Sequence, residues 1–335
     1  HSNFPGYLLI SKNRFPQNSD LKIFQFNEKV DGIKKGDVLL IDPKGIATRL
    51  YDADSHTNSL FLTDKCNCRC MMCPQPPRKE DIMDWVDICV QTIKLIDPST
   101  ECLGITGGEP TRNWTGLMRV LDSCNKYLPE TKIQLLTNGR IFKDYKKAED
   151  LAEMAGNKIL IGISIYSDVD GHHDKLCGTR GAFWDSIEGL YNLERVGIPI
   201  ELRTVIMKEN YKRLKGFSNF VYRNLPFVAY VVFMAMEPIG NAHKNIKKLW
   251  IDPADYMENL EEAIKILSRR DINTLIFNHQ LCTLPNNLWP LSVKSISEWK
   301  IIYSDECDSC IEKQKCGGFF FSQKDKRSRI IRPIR

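Results

Sequence analysis

Four cysteines stand within the eight residues CNCRCMMC at positions 66–73, in a chain of 335 residues that has 12 cysteines. Thiols of this kind bind metal ions or iron–sulfur clusters, or they pair as disulfides. No secretory signal opens the sequence, so we expect a cytoplasmic protein whose cysteines stay reduced. Clustered reduced cysteines favour metal binding. The cysteines are therefore expected to hold either a zinc ion or an iron–sulfur cluster.

The spacing in this segment groups Cys66, Cys70 and Cys73 and leaves Cys68 as the odd cysteine. Three thiolates in one loop would leave one iron of a four-iron cluster open to a small-molecule ligand. Zinc fits poorly, because the loop has no histidine and lacks the paired two-residue spacings of zinc knuckles. Cys68 is an alternative fourth ligand, although such closely spaced cysteines do not easily converge on one cluster.

A second group of cysteines lies near the C-terminus, in the segment DECDSCIEKQKCGG. This segment contains Cys307, Cys310 and Cys316, and Cys282 lies upstream of it. Together they supply four thiolates, which is enough to saturate a four-iron cluster or a structural zinc ion.

The elements that position these residues follow from alternating apolar and amphipathic segments. Strand-like runs at 7–10, 21–26 and 37–41 predict a small β-rich N-terminal unit. Ile82 is expected on the buried face of the first helix that follows. The predicted strands after that unit are 60–63, 102–106, 132–137, 158–166, 198–207 and 227–236, and the predicted helices are 80–97, 114–127, 145–154, 182–196, 214–223 and 253–270.

Six strand–helix units predict a parallel sheet covered on both faces, in the form of a partial (β/α)6 TIM-like barrel of the α/β class. Ligands of such sheets bind at the carboxyl ends of the strands. The cysteine loop follows the first of these strands and is expected at that end. We predict three domains, which are the N-terminal unit (1–58), the barrel (59–271) and a cysteine-rich extension (272–335).

The loop CNCRCMMC resembles the CX3CXΦC loop of the radical S-adenosylmethionine (SAM) enzymes, with Met72 at the Φ position. The segment ITGGEP at 105–110 resembles the GGE motif of the same family. The resemblance covers about residues 60–270 and implies that Cys66, Cys70 and Cys73 hold a [4Fe–4S] cluster, whose fourth iron binds SAM.

The same resemblance assigns further residues to SAM. Glu109 would pair with the SAM ammonium, and Arg203 with the SAM carboxylate, because an arginine inside an apolar strand is costly unless paired. A salt bridge to Glu201 is the alternative for Arg203. Asn138 lies in LLTNG, where an ordinary turn is the alternative. The full predicted SAM set is Met72, Gly107, Gly108, Glu109, Asn138, Ser164 and Arg203, and residues 236–242 are expected to shape the adenine pocket.

The C-terminal cysteines resemble the shortened auxiliary-cluster extensions (SPASM or twitch-like) of peptide-modifying members of the family. This resemblance favours a second [4Fe–4S] cluster over zinc. The segment lacks the further CX3C arm of the full pattern, which argues against another auxiliary cluster.

The resemblance implies an enzyme that cleaves SAM reductively to a 5′-deoxyadenosyl radical and abstracts hydrogen from a ribosomally made peptide. The segments CMMCPQPP and CGGFF, together with the chain length, resemble the maturase of the His-Xaa-Ser peptide system, which implies a substrate with His-x-Ser repeats. The implied partners are a precursor peptide, a second radical SAM protein, and an electron donor such as flavodoxin or ferredoxin. The alternatives are a radical SAM enzyme acting on another protein or a small molecule, and a non-catalytic iron–sulfur or zinc scaffold.

The polar segment 170–183 is predicted to be a loop over the active end of the sheet. It contains the candidate catalytic residues His172, His173, Asp174 and Cys177, for which capping of the loop is the alternative role. The formal charge of +5 is mild, and the basic tail 324–335 is expected to be solvated. The sequence has no RNA-recognition signature or zinc-finger histidine pair, and its longest apolar run, 227–236, is too short to span a bilayer. We therefore expect neither nucleic acid nor membrane as a partner.

Overall fold

The computed structural model describes residues 32–42, 46–297, 300–323 and 326–335. Near the start of this part of the chain, β1 (Val38–Ile41) pairs antiparallel with β2 (Ala47–Tyr51). This hairpin contains the third strand-like run of the predicted N-terminal unit. The predicted strands 7–10 and 21–26 lie outside the described residues.

A parallel sheet of eight strands forms the centre of the described chain. Its strands are β3 (Ser59–Phe61), β4 (Cys102–Thr106), β5 (Lys132–Thr137), β6 (Ile159–Ser164), β7 (Ile200–Ile206), β8 (Tyr230–Ala235), β9 (Thr274–Phe277) and β10 (Ser292–Val293). Each strand lies beside its predecessor in the chain, and all neighbouring pairs are parallel. This order confirms the predicted α/β fold and is consistent with a partial TIM-like barrel.

Two of these strands are not predicted by the sequence pattern. β9 and β10 have four and two residues, which is too short for a clear apolar run. Both fall in the segment 272–335 that we assigned to the C-terminal extension. The sheet therefore continues past residue 271 and joins that extension to the barrel.

Helices alternate with the strands as predicted. The described helices are α1 (Trp85–Ile93), α2 (Trp114–Tyr127), α3 (Tyr145–Ala155), α4 (Asp170–Cys177), α5 (Ala182–Arg195), α6 (Leu214–Asn224), α7 (Gly240–Lys244), α8 (Ile246–Leu249) and α9 (Pro253–Ser268). Helix α1 begins later than predicted, because the Asp84 side chain accepts a bond from the Asp87 N–H and caps the helix there. The prediction of a buried Ile82 was wrong, since it precedes the cap and is 54% exposed. The predicted loop 170–183 contains α4, which ends at Gly178 in the left-handed region (φ 61°).

The core lies between the sheet and its helices. Ile105, Leu135, Ile161, Leu202 and Val231, one from each of five successive strands, have no solvent exposure. Burying a side chain of this size stabilises the fold by about 1.5–3 kcal/mol. The continuous apolar character of these strands therefore reflects cover on both faces.

The C-terminal region adds a short antiparallel pair, β11 (Ile301–Ile302) with β12 (Phe319–Phe320). In the described part of the basic tail, 326–335, five of the ten residues are exposed, as expected for a solvated tail, but the tail is anchored on the body of the protein. Ser328, for example, is 9% exposed. Within the described residues, we find no helix with the length and apolar character needed to cross a membrane.

Candidate metal centres and cofactor site

The cysteine loop 66–73 leaves the sheet at the carboxyl end of β3. Its base is fixed by Asp64, whose carboxylate accepts bonds from Trp85 Nε1 at 2.7 Å and from the Ile82 N–H at 3.2 Å. The Arg78 N–H donates to the Asp64 carbonyl oxygen at 2.9 Å. These bonds join Asp64, just before the loop, to residues between the loop and the first turn of α1.

The three predicted ligands Cys66, Cys70 and Cys73 are half-buried on this loop. Burial raises the pKa of the Cys66 thiol to about 12, and it also raises the pKa of Cys73. The surrounding protein thus does little to stabilise these two thiolates. Iron would stabilise them, because cluster ligands bind as thiolates. The thiol chemistry of the loop therefore fits the cluster that the resemblance implies.

Cys68 has different surroundings and is 3% exposed. Its sulfur accepts bonds from Arg140 Nη1 at 3.7 Å and from Asn138 Nδ2 at 3.6 Å. Contacts with the Cys177 and Cys70 thiols, and then with the Arg140 guanidinium, lower the pKa of Cys68. These surroundings differ from those of Cys66 and Cys73, and the separation of Cys68 from the predicted ligands stays a prediction.

The GGE motif packs directly against the start of the cysteine loop. The Gly108 N–H donates to the Thr63 carbonyl oxygen at 2.7 Å, and the Glu109 N–H donates to that of Lys65 at 2.8 Å. A Cβ on Gly107 would lie 2.7 Å from the Thr63 oxygen, and one on Gly108 would lie 2.3 Å from the Lys65 oxygen. Only glycine permits this approach without moving a backbone segment.

The Glu109 side chain points into the protein and is 1% exposed. Its Oε1 accepts from the Thr111 N–H at 3.1 Å, from Thr111 Oγ1 at 2.7 Å and from Thr137 Oγ1 at 2.6 Å. Its Oε2 accepts from the Asn138 N–H at 2.7 Å, and burial raises the pKa of this carboxyl. The carboxylate thus ties the loop after β4 to the loop after β5, and its predicted contact with the SAM ammonium stays a prediction.

Asn138 and Arg140 brace the cysteine loop from the end of β5. Asn138 Nδ2 donates to Asn67 Oδ1 at 2.6 Å, and Arg140 Nη1 donates to the Asn67 carbonyl oxygen at 3.0 Å. Asp185 orients the Arg140 guanidinium through bonds of 3.1 and 2.8 Å. Arg140 is not among the residues predicted from the sequence, although a cation just after LLTNG, at the end of a predicted strand, is a usable signal.

The segment after β8 holds the loop from its other end. The Asn241 N–H donates to the Cys73 carbonyl oxygen at 2.8 Å, and Asn241 Nδ2 donates to that of Cys70 at 3.1 Å. Asn245 Nδ2 donates to the Met71 carbonyl oxygen at 3.0 Å. Asn245 was not predicted, and Asn241 was predicted only as part of the segment expected to shape the adenine pocket, because nothing in their spacing indicates that they reach a loop so distant in sequence.

A cavity of about 420 Å³, including space open to solvent, lies at the carboxyl ends of β7 and β8. Met236, from the segment expected to shape the adenine pocket, lines it, as do Trp250 and Phe319. Lys326 and Arg327 bring positive charge to its wall. Met72 is not among the residues that line this cavity, but its side chain, 4% exposed, belongs to the same apolar cluster as Met236.

Ser164 and Arg203 are partners in register on β6 and β7. The Arg203 guanidinium forms an ion pair with Glu201, which lies two residues away on the same strand. Glu201 also accepts from Gln134 Nε2 at 3.1 Å, and the guanidinium lies 5.8 Å from the Phe277 ring. The structure therefore contains the salt bridge that was the alternative for Arg203. Contacts of Ser164 and Arg203 with SAM stay predictions.

Two of the candidate catalytic residues, His173 and Cys177, are buried on α4. His173 Nδ1 accepts from the Tyr166 N–H at 3.1 Å, and burial lowers the pKa of this histidine to about 4. The neutral ring therefore carries its proton on Nε2, which lies 3.1 Å from Cys177 Sγ. Both side chains face the protein interior.

Asp174 and His172 form hydrogen bonds with residues near the starts of α5 and α4, respectively. The Asp174 carboxylate accepts from the Gly181 N–H at 2.5 Å and from the Phe183 N–H at 2.9 Å, at the start of α5. His172 Nδ1 lies 3.1 Å from Ser167 Oγ, and burial lowers the pKa of His172. These contacts support the capping role that was the alternative for this segment.

The C-terminal cysteines Cys282, Cys307, Cys310 and Cys316 line one cleft of about 320 Å³, including its solvent-open space. Burial raises the pKa of Cys282 and of Cys316, so a bound metal would be needed to stabilise their thiolates. No three His, Cys, Asp or Glu side chains in the described ranges are gathered closely enough to hold a single ion. A four-iron cluster binds each thiolate through a separate iron, so the chemistry of four thiols lining one cleft suits such a group.

Residues 60–221 match the sequence profile of the Radical SAM superfamily. Over these residues, which are just under half of the chain, the protein is similar to that superfamily. A GTP 3′,8-cyclase from Petrotoga mobilis is 30% identical over 184 residues, which cover 52% of this chain and 54% of that protein.

Solved structures show the same fold. Streptococcus suis SuiB bound to S-adenosylmethionine superposes with a TM-score of 0.52 at 19% identity, over 65% of this chain and 49% of SuiB. SuiB bound to its precursor peptide SuiA gives 0.51 at 20% identity, over 65% and 48%. The chain thus spans about half the length of these relatives.

Proposed function

We propose that this protein is a radical SAM enzyme that modifies a ribosomally made peptide. The observation that carries the proposal is the meeting of the cysteine loop with the GGE motif at the carboxyl end of a parallel sheet. The GGE motif donates backbone bonds of 2.7 and 2.8 Å to Thr63 and Lys65, which directly precede the cysteine loop. A non-catalytic scaffold would need the cysteines but not this second motif.

In the proposed site, Cys66, Cys70 and Cys73 hold a [4Fe–4S] cluster. When bound, the cluster and SAM would supply one-electron chemistry that removes a hydrogen atom from the substrate, with the electron coming from a donor such as flavodoxin or ferredoxin. The protein's part is to fix the loop, through Arg140 and Asn241, in the position in which it would hold the cluster.

Two observations support a peptide substrate. The fold resembles that of SuiB, whose structure contains a precursor peptide. The four cysteines of the C-terminal cleft resemble the auxiliary-cluster extensions of peptide-modifying members of the family. We propose that they hold an auxiliary [4Fe–4S] cluster, with zinc as the alternative. The finer proposal is a substrate with His-x-Ser repeats, a second radical SAM protein as partner, and flavodoxin or ferredoxin as electron donor.

A small-molecule substrate is the second candidate. The GTP 3′,8-cyclase from Petrotoga mobilis has higher identity to this chain than SuiB has. The positive charge of Lys326 and Arg327 at the cavity wall would also suit a phosphorylated ligand.

One assay separates these candidates. Anaerobically reconstituted protein is given SAM, a chemical reductant, and either a peptide with His-x-Ser repeats or GTP, and 5′-deoxyadenosine and product masses are measured. The matched control peptide has alanine at each His and Ser. A mass change in the repeat peptide alone supports the peptide proposal, whereas conversion of GTP supports the second candidate. Absence of any 5′-deoxyadenosine would refute both and favour a scaffold.

A further inference from the structure

Residues 326–335 form a strap that begins at the barrel and ends at the C-terminal cysteine cleft. The strap is anchored at Asp252, the N-cap residue of α9. Ser328 Oγ and the Arg329 N–H donate to the two oxygens of the Asp252 carboxylate, the latter at 3.0 Å. The Arg329 guanidinium also donates to Asp255 at 3.1 Å. Asp252 is buried, with only 6% of the residue exposed, so its carboxylate is a specific anchoring point for the strap.

At its other end, the strap lies over the cysteines. Arg332 and Ile334 line the same cleft as the four thiols. The Ile334 N–H donates to Cys310 Sγ at 3.4 Å, and the Arg332 backbone lies near the Cys282 sulfur. The Ile311 N–H donates to the Ile334 carbonyl oxygen at 3.0 Å, which fixes this end beside Cys310.

We infer that the strap is a working part of the auxiliary centre, covering its cysteines and tuning its reduction potential. The inference rests on the proposed function, in which these cysteines hold a [4Fe–4S] cluster. Hydrogen bonds to ligand sulfurs stabilise the more negative, reduced cluster, and solvent exposure also sets the potential. The strap supplies both donors and cover. Because it is seated on α9, it also couples the centre to the barrel.

Its cover can be tested without any metal. In metal-free protein, iodoacetamide labelling of each cysteine is followed by mass spectrometry, for the full chain and for a variant ending at Ile330, which keeps the anchor. Cys282 and Cys310 should react about tenfold faster in the shortened variant, because labelling follows local opening. Cys102, which is exposed on β4, is the internal control and should not change. Equal rates for Cys282 and Cys310 in the two proteins would overturn the inference.

The tuning is tested by Ile334→Pro, which removes the N–H that bonds Cys310 Sγ. The matched control is Arg335→Pro, which places the same ring one residue further along. Both are made in protein with Cys66, Cys70 and Cys73 replaced by alanine, so that only the C-terminal iron is titrated by electron paramagnetic resonance. Ile334→Pro should give a more negative potential than the control at equal iron content, and equal potentials would overturn the tuning. A parent without C-terminal iron would refute the proposed auxiliary cluster, and with it the tuning, while the labelling result still decides the cover.

Discussion

The loop 66–73 takes its three predicted ligands from eight consecutive residues, whereas the C-terminal cleft collects four cysteines from positions 282–316. The first site is held by side chains that reach it from distant segments, such as Arg140 and Asn241. The second is lined by the strap, whose Ile334 N–H donates to Cys310 Sγ. The predicted ligands of the first site are close together in the sequence, and side chains from other parts of the fold hold their loop in place. The cysteines of the second site are dispersed in the sequence, and the strap lies against them.

This difference matches the tasks that we propose for the two sites. Three thiolates leave one iron open for SAM, so the surrounding protein must hold the loop while leaving room for a ligand. Four thiolates saturate a cluster, so its surroundings can close over it. The predictions below ask whether the sites divide in this way, and they run from the largest expected effect to the smallest.

Replacing Cys66, Cys70 and Cys73 together with alanine should have the largest effect. Iron in anaerobically reconstituted protein should fall from about eight to about four per chain, since each cubane carries four irons. Production of 5′-deoxyadenosine should fall below detection, because no open iron remains to bind SAM. Cleavage that persists in this variant would show that the cysteine loop is not the SAM-binding centre.

Replacing Cys282, Cys307, Cys310 and Cys316 with alanine should also remove about four irons per chain, but it should leave SAM cleavage in place. Metal analysis by mass spectrometry measures iron and zinc in the same sample. If the parent holds about four irons together with zinc, and this variant loses only the zinc, the C-terminal centre is structural zinc and the comparison of two clusters fails.

Arg203→Leu should weaken SAM binding at least tenfold, which corresponds to about 1.4 kcal/mol, while both clusters still assemble. It also leaves Glu201 as a buried charge without its ion-pair partner, which costs about 3–5 kcal/mol of stability. The control is Arg203→Leu combined with Glu201→Gln, in which that charge is gone. Stability should recover in the double variant, but SAM affinity should not. SAM affinity close to the parent's in both variants would leave Arg203 with only its salt bridge.

Cys68→Ala should have the smallest effect on the chemistry. Cys68 has its own partners in Arg140 and Asn138, so iron content and SAM cleavage should stay near the parent's values. A fall as large as that caused by Cys70→Ala, measured in the same iron and 5′-deoxyadenosine assays, would show that the ligands had been assigned in the wrong register.

Much of the fold was predictable because its signals are local. Helices α2, α3, α5, α6 and α9 begin at the predicted residues, and the β4 and β5 boundaries also agree with the prediction. In contrast, β9 and β10 are too short to give a periodic signal, and they are strands because a sheet is already present beside them. The described tail also depends on the tertiary structure. Its basic composition suggests solvation, but Ser328 and Arg329 donate hydrogen bonds to Asp252.

The sequence by itself determined the βα order, the cysteine groups and the GGE motif, since each is written in neighbouring residues. Only the tertiary structure decided which groups the side chains engage. It turned the Glu109 carboxylate inward onto Thr111, Thr137 and Asn138, and it paired Arg203 with Glu201. It also brought Cys282 to the other three C-terminal cysteines. The reason is physical: a buried charge or thiol must find its partner in space, and Thr137, Asn138 and the dispersed cysteines come from segments that only the folded sheet brings together, whereas Thr111 and Glu201 are neighbours in sequence.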